Sequence, residues 1–432
     1  MNLAGVEVSC ATVIGFARTG KALTEFLLSR GIEVFVTEAG VLSGPDRATL
    51  AGMGVGFEDG GHTDRALGAD LIVPSPVVPI DSPVLQQARD LGIPILSEID
   101  LAAWVCRETP ILAVTGTNGK STTVLFLAAL LRRAGLDPVV AGNIGVPFIA
   151  LVDRAADRDA AVVEVSSFQL EQSQRFHPRV AVLLNLTPDH LERHGTLAGY
   201  AAAKARLFAH QSPDDTAVLR SDLLASFPGI AARIVLFDRE ELPATPVIDG
   251  LPPHHRMNLA AAICACRVLV PSFDPARIAD ADLEGALALP YRLQSEGEVH
   301  GIRILNDSKS TNAASSVVAL ESVPGEVLLL LGGRHKHAGY EVLARLVGER
   351  EVKRTYLYGE AVRFLADALA AVGYHRIERH PDLRSAFAAA LRAGASGDTL
   401  LFSPGCASYD QFDSFMQRGE VFSQLVAAAR RA

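Results

Sequence analysis

The sequence predicts an α/β protein of three domains: Rossmann-like at the N-terminus, a P-loop mononucleotide-binding domain of the ATPase type in the centre, and Rossmann-like again at the C-terminus. The chain has 432 residues, which is more than one hydrophobic core usually accommodates. Apolar runs of strand length alternate with helical patterns along most of it. A glycine-rich loop lies between one such strand and a helix. We place the domains at 1–97, 98–288 and 289–432.

The composition favours a soluble protein that acts on small molecules. Hydrophobic residues make up 49% and charged residues 21%, and the net charge of −9 is unfavourable for binding nucleic acid. The five cysteines show no Cys-x-x-Cys spacing, so we expect buried free thiols in a reducing compartment. No apolar run reaches about 18 residues and no basic-then-apolar leader is present. We therefore expect a cytoplasmic monomer without membrane insertion.

The central glycine-rich loop is the strongest functional signal. A strand is predicted at Ile111 to Val114 and a helix at Val124 to Arg133, and Gly116-Thr-Asn-Gly-Lys-Ser-Thr122 lies between them. Backbone N–H groups of such a loop and of the helix N-terminus bind phosphate oxygens. Lys120 would reach the outer phosphates, and the hydroxyl of Ser121 or Thr122 would hold Mg²⁺. Gly116 precedes Gly119 by only three residues, which is shorter than the common P-loop spacing.

The N-terminal segment resembles the first half of a Rossmann unit. A strand at Cys10 to Gly15 runs into the loop Gly15 to Gly20, and a helix and a second strand follow at Lys21 to Ser29 and Glu33 to Thr37. Ala17 stands where a dinucleotide fingerprint has its second glycine. A nucleotide site and a purely structural turn both remain open here. Further elements are predicted as strands Leu71 to Ser75 and Pro94 to Leu96, and as an amphipathic helix Glu98 to Arg107 capped by Ser97.

The central domain carries polar residues where its predicted strands end. Glu164 ends the strand Ala160 to Val165, a usual place for a carboxylate that holds the nucleotide metal, although a cap or a salt bridge would also explain it. Two histidines and two acids lie within Asp189 to His194 and could form a metal cluster or begin a polar helix. Other elements are predicted as strands Val139 to Pro147, Val180 to Asn185 and Ala232 to Phe237, a helix Tyr200 to Phe208, and a helix that opens at His254 to Asn258.

The C-terminal domain shows the same alternation. Strands are predicted at Ile302 to Leu305, Val327 to Leu331, Thr355 to Tyr358 and Asp398 to Phe402. Polar loops follow at 306–312, 332–336 and 403–410. Because ligands of open α/β sheets bind beyond the carboxyl ends of the strands, we expect these loops to share one site.

An ATPase core between two Rossmann-like domains indicates an enzyme that activates one ligand with ATP and joins it to another. Two other classes fit less well. A GTPase switch would carry an Asn-Lys-x-Asp motif, which is absent. A nicotinamide-dependent dehydrogenase does not explain Lys120, and its fingerprint is broken at Ala17.

At this point the chain resembles the Mur ligases of bacterial cell-wall synthesis, over essentially its whole length, and is most similar to the members that add glutamate. Folylpolyglutamate synthases share the first motif but lack the N-terminal domain. The motifs that carry the resemblance are Thr115-Gly-Thr-Asn-Gly-Lys-Ser-Thr122, Gly142-Asn-Ile-Gly145, Glu164-Val-Ser-Ser-Phe-Gln169, Asn185-Leu-Thr-Pro-Asp-His190, Tyr200-Ala-Ala-Ala-Lys204, Asn306-Asp-Ser-Lys-Ser-Thr-Asn312 and Ser403-Pro-Gly-Cys-Ala-Ser-Tyr-Asp-Gln-Phe412.

The resemblance implies a ligase of peptidoglycan synthesis with ATP and Mg²⁺, two ions being expected. ATP phosphorylates the carboxylate of UDP-N-acetylmuramoyl-L-alanine, and the amine of D-glutamate attacks the acyl phosphate through a tetrahedral intermediate. Lys120, His190 and Lys204 would be catalytic, and Lys204 matches the lysine that the family carbamylates. A plain ammonium in contact with phosphate is the alternative for Lys204.

The resemblance also implies binding residues. ATP would be bound by Gly116, Thr117, Asn118, Gly119, Lys120, Ser121, Thr122, Asn258, Arg292 and Asp307. The UDP substrate would be bound by Gly15, Arg18, Thr19, Thr37, Ser75 and Asn143, with Glu38 beside the uracil. Glutamate would be bound by Lys309, Thr311, Lys336, Ser408 and Tyr409. Metal would be held by Ser121, Glu164, His190 and a carbamylated Lys204.

The sequence departs from the family pattern at five positions, which affect the expected uridine and adenine contacts. They are Ala17, Val77, His255, Tyr291 and Asp413. The P-loop, Glu164, His190, Lys204, Lys309 and Ser408 match the pattern.

Overall fold

The computed structural model describes residues 1–287, 290–336, 339–350 and 352–431. The chain divides into two compact units. Unit 1 comprises Met1–Leu186 and Ala198–Ala286, and unit 2 comprises Thr187–Leu197 and Leu287–Ala432. The predicted boundary between 288 and 289 lies outside the described residues. Our division into 1–97, 98–288 and 289–432 therefore stays a prediction.

The N-terminal part of unit 1 is a parallel sheet with the strand order β5-β4-β3-β6. A short antiparallel hairpin, β1–β2, precedes it. The strands are β1 Asn2–Leu3, β2 Val6–Glu7, β3 Cys10–Ile14, β4 Glu33–Glu38, β5 Gly56–Asp59 and β6 Leu71–Pro74. The helices are α1 Arg18–Ser29, α2 Gly44–Gly52 and α3 Pro83–Asp90. Parallel strands joined by helices are the Rossmann-like arrangement that the sequence predicts.

The central part of unit 1 is a second parallel sheet, with the order β12-β11-β10-β7-β9-β8. Its strands are apolar and largely buried because helices cover both faces. They are β7 Ile111–Thr115, β8 Pro138–Gly142, β9 Ala160–Glu164, β10 Val180–Leu183, β11 Thr216–Leu219 and β12 Arg233–Leu236. The helices of this region are α4 Glu98–Val105, α5 Lys120–Arg133, α6 Val152–Ala156, α7 Ser167–Gln172, α9 Leu197–Ala205, α10 Pro246–Gly250, α11 Pro253–Leu269 and α12 Asp280–Leu287. The short helix α8 Leu191–His194 belongs to unit 2.

Short 3-10 turns connect several of these elements in unit 1. They are Asp64–Leu67, Phe148–Leu151, Arg206–Phe208, Ser221–Ser226, Phe237–Arg239 and Pro275–Arg277. A continuous hydrophobic core includes Val13 and Val36 of the first sheet and Ala113 and Val163 of the second. The two sheets of unit 1 are therefore packed as one body.

Unit 2 is built on a third sheet, with the order β13-β14-β18-β15-β16-β17. The edge strand β13 is antiparallel to β14, and the other pairs are parallel. The strands are β13 Gln294–Val299, β14 Ile302–Asn306, β15 Val327–Gly332, β16 Arg354–Tyr358, β17 Ile377–His380 and β18 Thr399–Gly405. The helices are α13 Ala313–Glu321, α14 Glu341–Glu349, α15 Val362–Ala371, α16 Leu383–Ala393 and α17 Phe415–Ala429. Buried clusters around Leu329 and Leu330 cover opposite faces.

The predicted α/β class is confirmed, and the differences from the sequence predictions are local. Helix α5 begins at Lys120 and not at Val124, because Gly119 in the left-handed region turns the chain directly into the helix. Ser97 caps α4 as predicted. The helix does not show the predicted amphipathic pattern of exposed polar and buried apolar side chains, because the acidic side chains of Glu98 and Asp100 are buried. The cysteines are free, and all except the half-buried Cys10 are buried.

Within the described ranges, no helix combines the length and the apolar composition that crossing a membrane requires.

The packing of α1 on the end of β3 yields a stability prediction. A Cβ added at Gly20 would lie 1.9 Å from the backbone oxygen of Gly15, whereas a Cβ at the helical Gly285 of the same unit meets nothing within 4 Å. Gly20→Ala should therefore lower the free energy of unfolding by about 2 kcal/mol or more. Gly285→Ala, the matched control, should raise it by roughly 0.5–1 kcal/mol. Urea unfolding of both variants measures this, and equal effects would contradict the packing.

Candidate functional site

The phosphate-binding loop follows β7 and leads into α5. Gly116 and Gly119 have φ values of 152° and 86°, which a side chain would strain. The Nζ atom of Lys120 donates to the carbonyl oxygens of Gly116 at 2.9 Å and Thr117 at 2.8 Å. The lysine is thus folded back over the loop that it follows. This places a cation beside the N-terminus of α5, where anionic oxygens are favoured.

Two asparagines outside the loop hold its shape. Asn185, just beyond β10, accepts from the N–H of Asn118 through Oδ1 at 2.9 Å, and its own carbonyl accepts from the N–H of Thr117 at 3.1 Å. Asn258 of α11 is buried against Gly119, where a Cβ would come 2.4 Å from its Oδ1. The family resemblance assigned Asn258 to ATP. The structure places its side-chain amide against the phosphate loop itself.

Glu164 is the centre of the polar cluster at the carboxyl end of the central sheet. It lies in register with Val114 of β7 and Gly142 of β8. Its Oε2 accepts from the Ser121 hydroxyl at 2.6 Å, and its Oε1 accepts from Nδ2 of Asn143 at 2.7 Å. The carboxylate is only 2% exposed. Residues that the sequence assigned to metal, ATP and the UDP substrate are therefore in direct contact.

Lys204 reaches the same loop from α9. It is 1% exposed, and its Nζ donates to the carbonyl of Gly116 at 3.0 Å and to the Thr115 hydroxyl at 3.2 Å. The same nitrogen lies 4.6 Å from the centre of the Tyr200 ring. Burial of an amine is costly unless its N–H groups find hydrogen-bond acceptors or an aromatic ring, as they do here. The predicted catalytic Lys204 is thus positioned at the first glycine of the phosphate loop.

The predicted UDP-binding residues gather at the carboxyl end of the first sheet. Gly15 has φ 90°, and a Cβ there would lie 3.0 Å from Cβ of Ser75. The N–H of Phe16 donates to Glu38 at 3.0 Å. Thr37 differs from the others, because its buried hydroxyl is hydrogen-bonded to Glu58 and His62. Gly15, Glu38 and Ser75 therefore lie close together, whereas the Thr37 hydroxyl is engaged by other partners.

Arg18 connects the carboxyl end of the first sheet to the loop that follows β8 of the central sheet. Arg18 is the first residue of α1 and Thr19 is the second. The Arg18 guanidinium donates to the carbonyls of Gly145 at 2.9 Å and Asn143 at 3.1 Å. The loop that follows β8 is also held by Glu98, which accepts from the N–H of Ile149 at 2.8 Å. Burial raises the pKa of Glu98, although the hydrogen bonds that its carboxylate accepts from Ile149 and Gln169 and the charge of Arg18 oppose the shift. Arg18 and Asn143, predicted from separate domains, are brought together.

In unit 2, the segment Thr187–Leu197 packs on the C-terminal sheet through Asp189. The Oδ1 atom of Asp189 lies 3.2 Å from Nζ of Lys336, and its Oδ2 accepts from Nδ2 of Asn312 at 2.8 Å. Burial works against ionisation, but Lys336, His190 and the amide of Asn312 outweigh it and lower the pKa of Asp189 to about 2. Two C-terminal polar loops are therefore tied to this segment by one carboxylate.

His190 follows Asp189 with φ 53°, and its Nδ1 lies 3.4 Å from Glu192. Burial lowers its pKa, which the neighbouring Glu192 and Asp189 oppose. The segment continues as the short helix α8, which agrees with the predicted helix start. In the part of the chain that the structure describes, no group of three or more His, Cys, Asp or Glu side chains is placed to hold a metal, so the cluster alternative is not supported.

Asp307 occupies the end of β14, where the first polar loop of unit 2 begins. Its Oδ2 accepts from the hydroxyls of Ser310 and, at 2.7 Å, Ser403, and its Oδ1 accepts from the N–H of Leu293. Burial raises its pKa to about 6, and these hydrogen bonds and the charge of Arg292 reduce the shift. Arg292 and Asp307, both predicted at the ATP end of this domain, therefore act on one another.

The predicted glutamate residues line the same edge of the sheet. Nζ of Lys309 lies 5.1 Å from the ring centre of Phe415 at the start of α17. Ser408 is buried, Thr311 is half-buried and Tyr409 is 63% exposed. The loops that carry Lys336 and Ser408 are joined by reciprocal backbone hydrogen bonds between Arg334 and Ala407.

Several residues of the site were missed by the sequence reasoning. Asn185 and Asp189 belong to the recognised motif Asn185 to His190, so membership of that motif could have identified them as site residues. Glu98 and Arg418 are isolated charged residues in helices, and only their burial distinguishes them from surface residues.

Three ranges of the chain match models of known protein domains. Residues 10–84 match the MurD N-terminal domain, residues 114–236 match the Mur ligase middle domain, and residues 291–406 match the Mur ligase glutamate ligase domain. The chain belongs to the Mur ligase family.

Within that family, several curated relatives that cover nearly the whole chain share one name. The chain is 38% identical to the UDP-N-acetylmuramoylalanine–D-glutamate ligase of Pelotomaculum thermopropionicum, with 97% of each chain covered. It is 39% identical to the enzyme of that name from Acidobacterium capsulatum, with 100% of this chain and 98% of the other covered.

Solved structures share the fold at lower identity. The crystal structure of UDP-N-acetylmuramate-alanine ligase MurC from Thermotoga maritima has a TM-score of 0.61 at 18% identity, covering 98% of this chain and 100% of the other.

The Asp189 contacts yield a pH-dependent prediction. A carboxylate whose pKa is lowered from 3.8 to about 2 stabilises the fold above its ordinary pKa, and the effect is lost as the pH falls towards 2. Asp189→Asn should therefore lower the free energy of unfolding by about 2 kcal/mol at pH 7 and by roughly half as much at pH 3. Urea unfolding in EDTA measures this. Glu192→Gln, a partly exposed control on the same segment, should change little, and a pH-independent loss for Asp189→Asn would contradict the electrostatic origin.

Proposed function

We propose that this chain joins D-glutamate to UDP-N-acetylmuramoyl-L-alanine at the expense of ATP, releasing ADP and phosphate, in the cytoplasmic synthesis of peptidoglycan precursors. The activity for which its full-length relatives are named and the match to the glutamate ligase domain support this reaction. The observation that carries the chemistry is the contact of Ser121 and Asn143 with Glu164 at the phosphate loop. Through this reaction the protein would serve cell-wall growth, cell shape and division.

The reaction needs positioning and charge neutralisation more than covalent chemistry from the protein. The loop Gly116 to Thr122 would bind the β- and γ-phosphates of ATP, and Lys120 would leave its loop carbonyls to meet the γ-phosphate. The γ-phosphoryl group passes to the substrate carboxylate. The glutamate amine then attacks the acyl carbon, and a tetrahedral intermediate forms. Phosphate leaves as the bond between that carbon and the phosphate oxygen breaks, and the amine nitrogen loses a proton to give the amide.

The residues at Glu164 suit Mg²⁺, which is typical of the family. Mg²⁺ prefers oxygen ligands and is commonly held by one or two protein oxygens, with phosphate and water completing the shell. The Ser121 hydroxyl and the Glu164 carboxylate provide such a pair. Mg²⁺ would neutralise charge on the phosphates, and His190 would orient a second ion near the acyl phosphate.

Lys204 is proposed to carry a carbamate. CO₂ adds only to a neutral amine, and burial disfavours the charged form of an amine. The resulting anion would help to orient Mg²⁺ beside Gly116. The unmodified ammonium, which the Gly116 carbonyl and the Tyr200 ring would accommodate, is the alternative that the experiment below tests.

The substrates are assigned to three regions that follow our predicted domains. Residues 1–97 would bind the UDP part with Gly15, Arg18, Thr19 and Ser75, and Asn143 would meet the sugar-peptide. Residues 98–288 would bind ATP. Residues 289–432 would bind glutamate through Lys309, Thr311, Lys336, Ser408 and Tyr409, since lysines match its carboxylates as point charges. We propose that the chain acts as a monomer.

A phosphate-release assay tests the proposed function. Each UDP-muramoyl precursor is offered with ATP, Mg²⁺ and either D-glutamate, L-glutamate or L-alanine. Turnover confined to UDP-N-acetylmuramoyl-L-alanine with D-glutamate is expected. Preference for another pair would assign the chain to a different Mur ligase activity, and no turnover with any pair would refute the ligase function.

Lys120→Ala should reduce phosphate release by at least about a thousandfold, because the γ-phosphate loses its main cationic partner during transfer. The assay with both substrates measures kcat. Lys353→Ala, which removes a lysine that pairs with Asp398 in unit 2, is the control and should retain activity. Substantial turnover by Lys120→Ala would exclude the proposed role of the loop.

Lys204→Ala should lose most activity and regain part of it when short carboxylates such as acetate or propionate are added, because they would replace the carbamate anion. Chloride at equal ionic strength is the control, and Lys204→Arg should not be rescued. A complete absence of rescue at every carboxylate concentration would favour the plain ammonium.

A further inference from the structure

Arg418, in the first turn of α17, is buried at the junction of the three polar loops of unit 2. Its Nε donates to the Ser308 hydroxyl at 3.1 Å, its Nη2 to the Ser308 carbonyl at 2.8 Å, and its Nη1 to the Cys406 carbonyl at 3.0 Å. A Cβ on Gly333 would lie 3.1 Å from the same Nη1. One guanidinium therefore contacts the loops 306–312, 332–336 and 403–410.

The location is costly for a cation. The side chain is 0% exposed, and the carboxyl of Asp410, in the loop 403–410, lies near enough for the charge of Arg418 to act on it without an ion pair between the two in the described residues. Arg418 also stands at a helix N-terminus, where the helix dipole disfavours positive charge. A buried guanidinium without a paired anion is expensive to maintain. Its hydrogen bonds to the loops offset this cost.

The contacts of Arg418 extend to two residues of the glutamate site. The Ser308 hydroxyl that accepts from Nε donates to the Phe415 carbonyl at 2.8 Å. The ring of Phe415 lies under the ammonium of Lys309. On the other side, Cys406 is followed by Ala407, whose backbone pairs with Arg334, two residues before Lys336. Arg418 is thus linked through Ser308 and Phe415 to Lys309, and through Cys406 and Ala407 to the loop that carries Lys336.

We propose that Arg418 is a positioning residue of the amino-acid site, which holds the loops bearing Lys309, Lys336 and Ser408 at the spacing that a dicarboxylic amino acid requires. The inference rests on the proposed function and deepens it. Arg418 acts through Ser308 and Cys406 and not by contact with substrate.

The test separates amino-acid binding from the first chemical step. Arg418→Lys, Arg418→Gln and wild type are assayed for the KM of D-glutamate, ATP and UDP-N-acetylmuramoyl-L-alanine. Acyl-phosphate formation is measured without glutamate, by trapping with hydroxylamine as the hydroxamate. Arg350→Gln is the matched control, since Arg350 also donates to a backbone carbonyl in unit 2, that of Leu320, away from the polar loops.

We expect Arg418→Gln to raise the KM of D-glutamate by about tenfold or more, because hydrogen bonds from a charged group are lost. Arg418→Lys, which retains the charge but not the planar fork, should show a smaller rise. The KM of the other substrates and the hydroxamate yield should stay within about twofold of wild type. Arg350→Gln should change none of these values.

An unchanged KM for D-glutamate in a folded Arg418→Gln would overturn the inference, and so would an equal loss of hydroxamate and ligation. If neither Arg418 variant folds, Ser308→Ala decides, since it removes only the hydroxyl between Arg418 and Phe415. A KM for D-glutamate raised about threefold supports the inference, and an unchanged KM rejects it. Wild type that forms neither hydroxamate nor ligation product would instead refute the proposed function.

Discussion

The central site depends on one buried carboxylate, that of Glu164. Parallel register places it between the ends of β7 and β8, so that the phosphate loop and the Gly142-Asn143 turn converge on the same two oxygens. The Ser121 hydroxyl and the Asn143 amide satisfy these oxygens and make burial of the charge tolerable. A Cβ at Gly142 would lie 2.3 Å from the Glu164 carbonyl, so the close approach also requires glycine. Residues predicted to bind ATP and residues predicted to bind the UDP substrate thereby meet at one carboxylate.

Unit 2 uses the same principle with different groups. Its polar loops leave the carboxyl ends of neighbouring parallel strands, and buried charges connect them: Asp189 with Lys336 and Asn312, and Arg418 with Ser308 and Cys406. Each buried charge is matched by several polar partners.

Burial explains why several strands could be predicted and others not, although the buried strand β11 was missed and the partly exposed edge strand β12 was predicted. Apolar strands such as β7 and β15 were predicted because both faces are covered, which leaves a continuous hydrophobic run. Strands β13 and β17 were missed because they are edge strands with polar sequences, Gln-Ser-Glu-Gly-Glu-Val and Ile-Glu-Arg-His. Likewise, the phosphate loop was recognised from local spacing, whereas the shared contacts of Asn185, Glu98 and Arg418 depend on residues far away in the chain.

The sequence alone determined the α/β class, the phosphate loop with Lys120 and Ser121, and membership of a ligase family, because these rest on local spacing and on motifs. Only the tertiary structure decided that Asn258 lies against Gly119, that the Thr37 hydroxyl is engaged by Glu58 and His62, and that Arg418 joins the polar loops. The physical reason is that side-chain partners are set by strand order and register. Those bring together residues more than a hundred positions apart, as with Arg418 and Ser308.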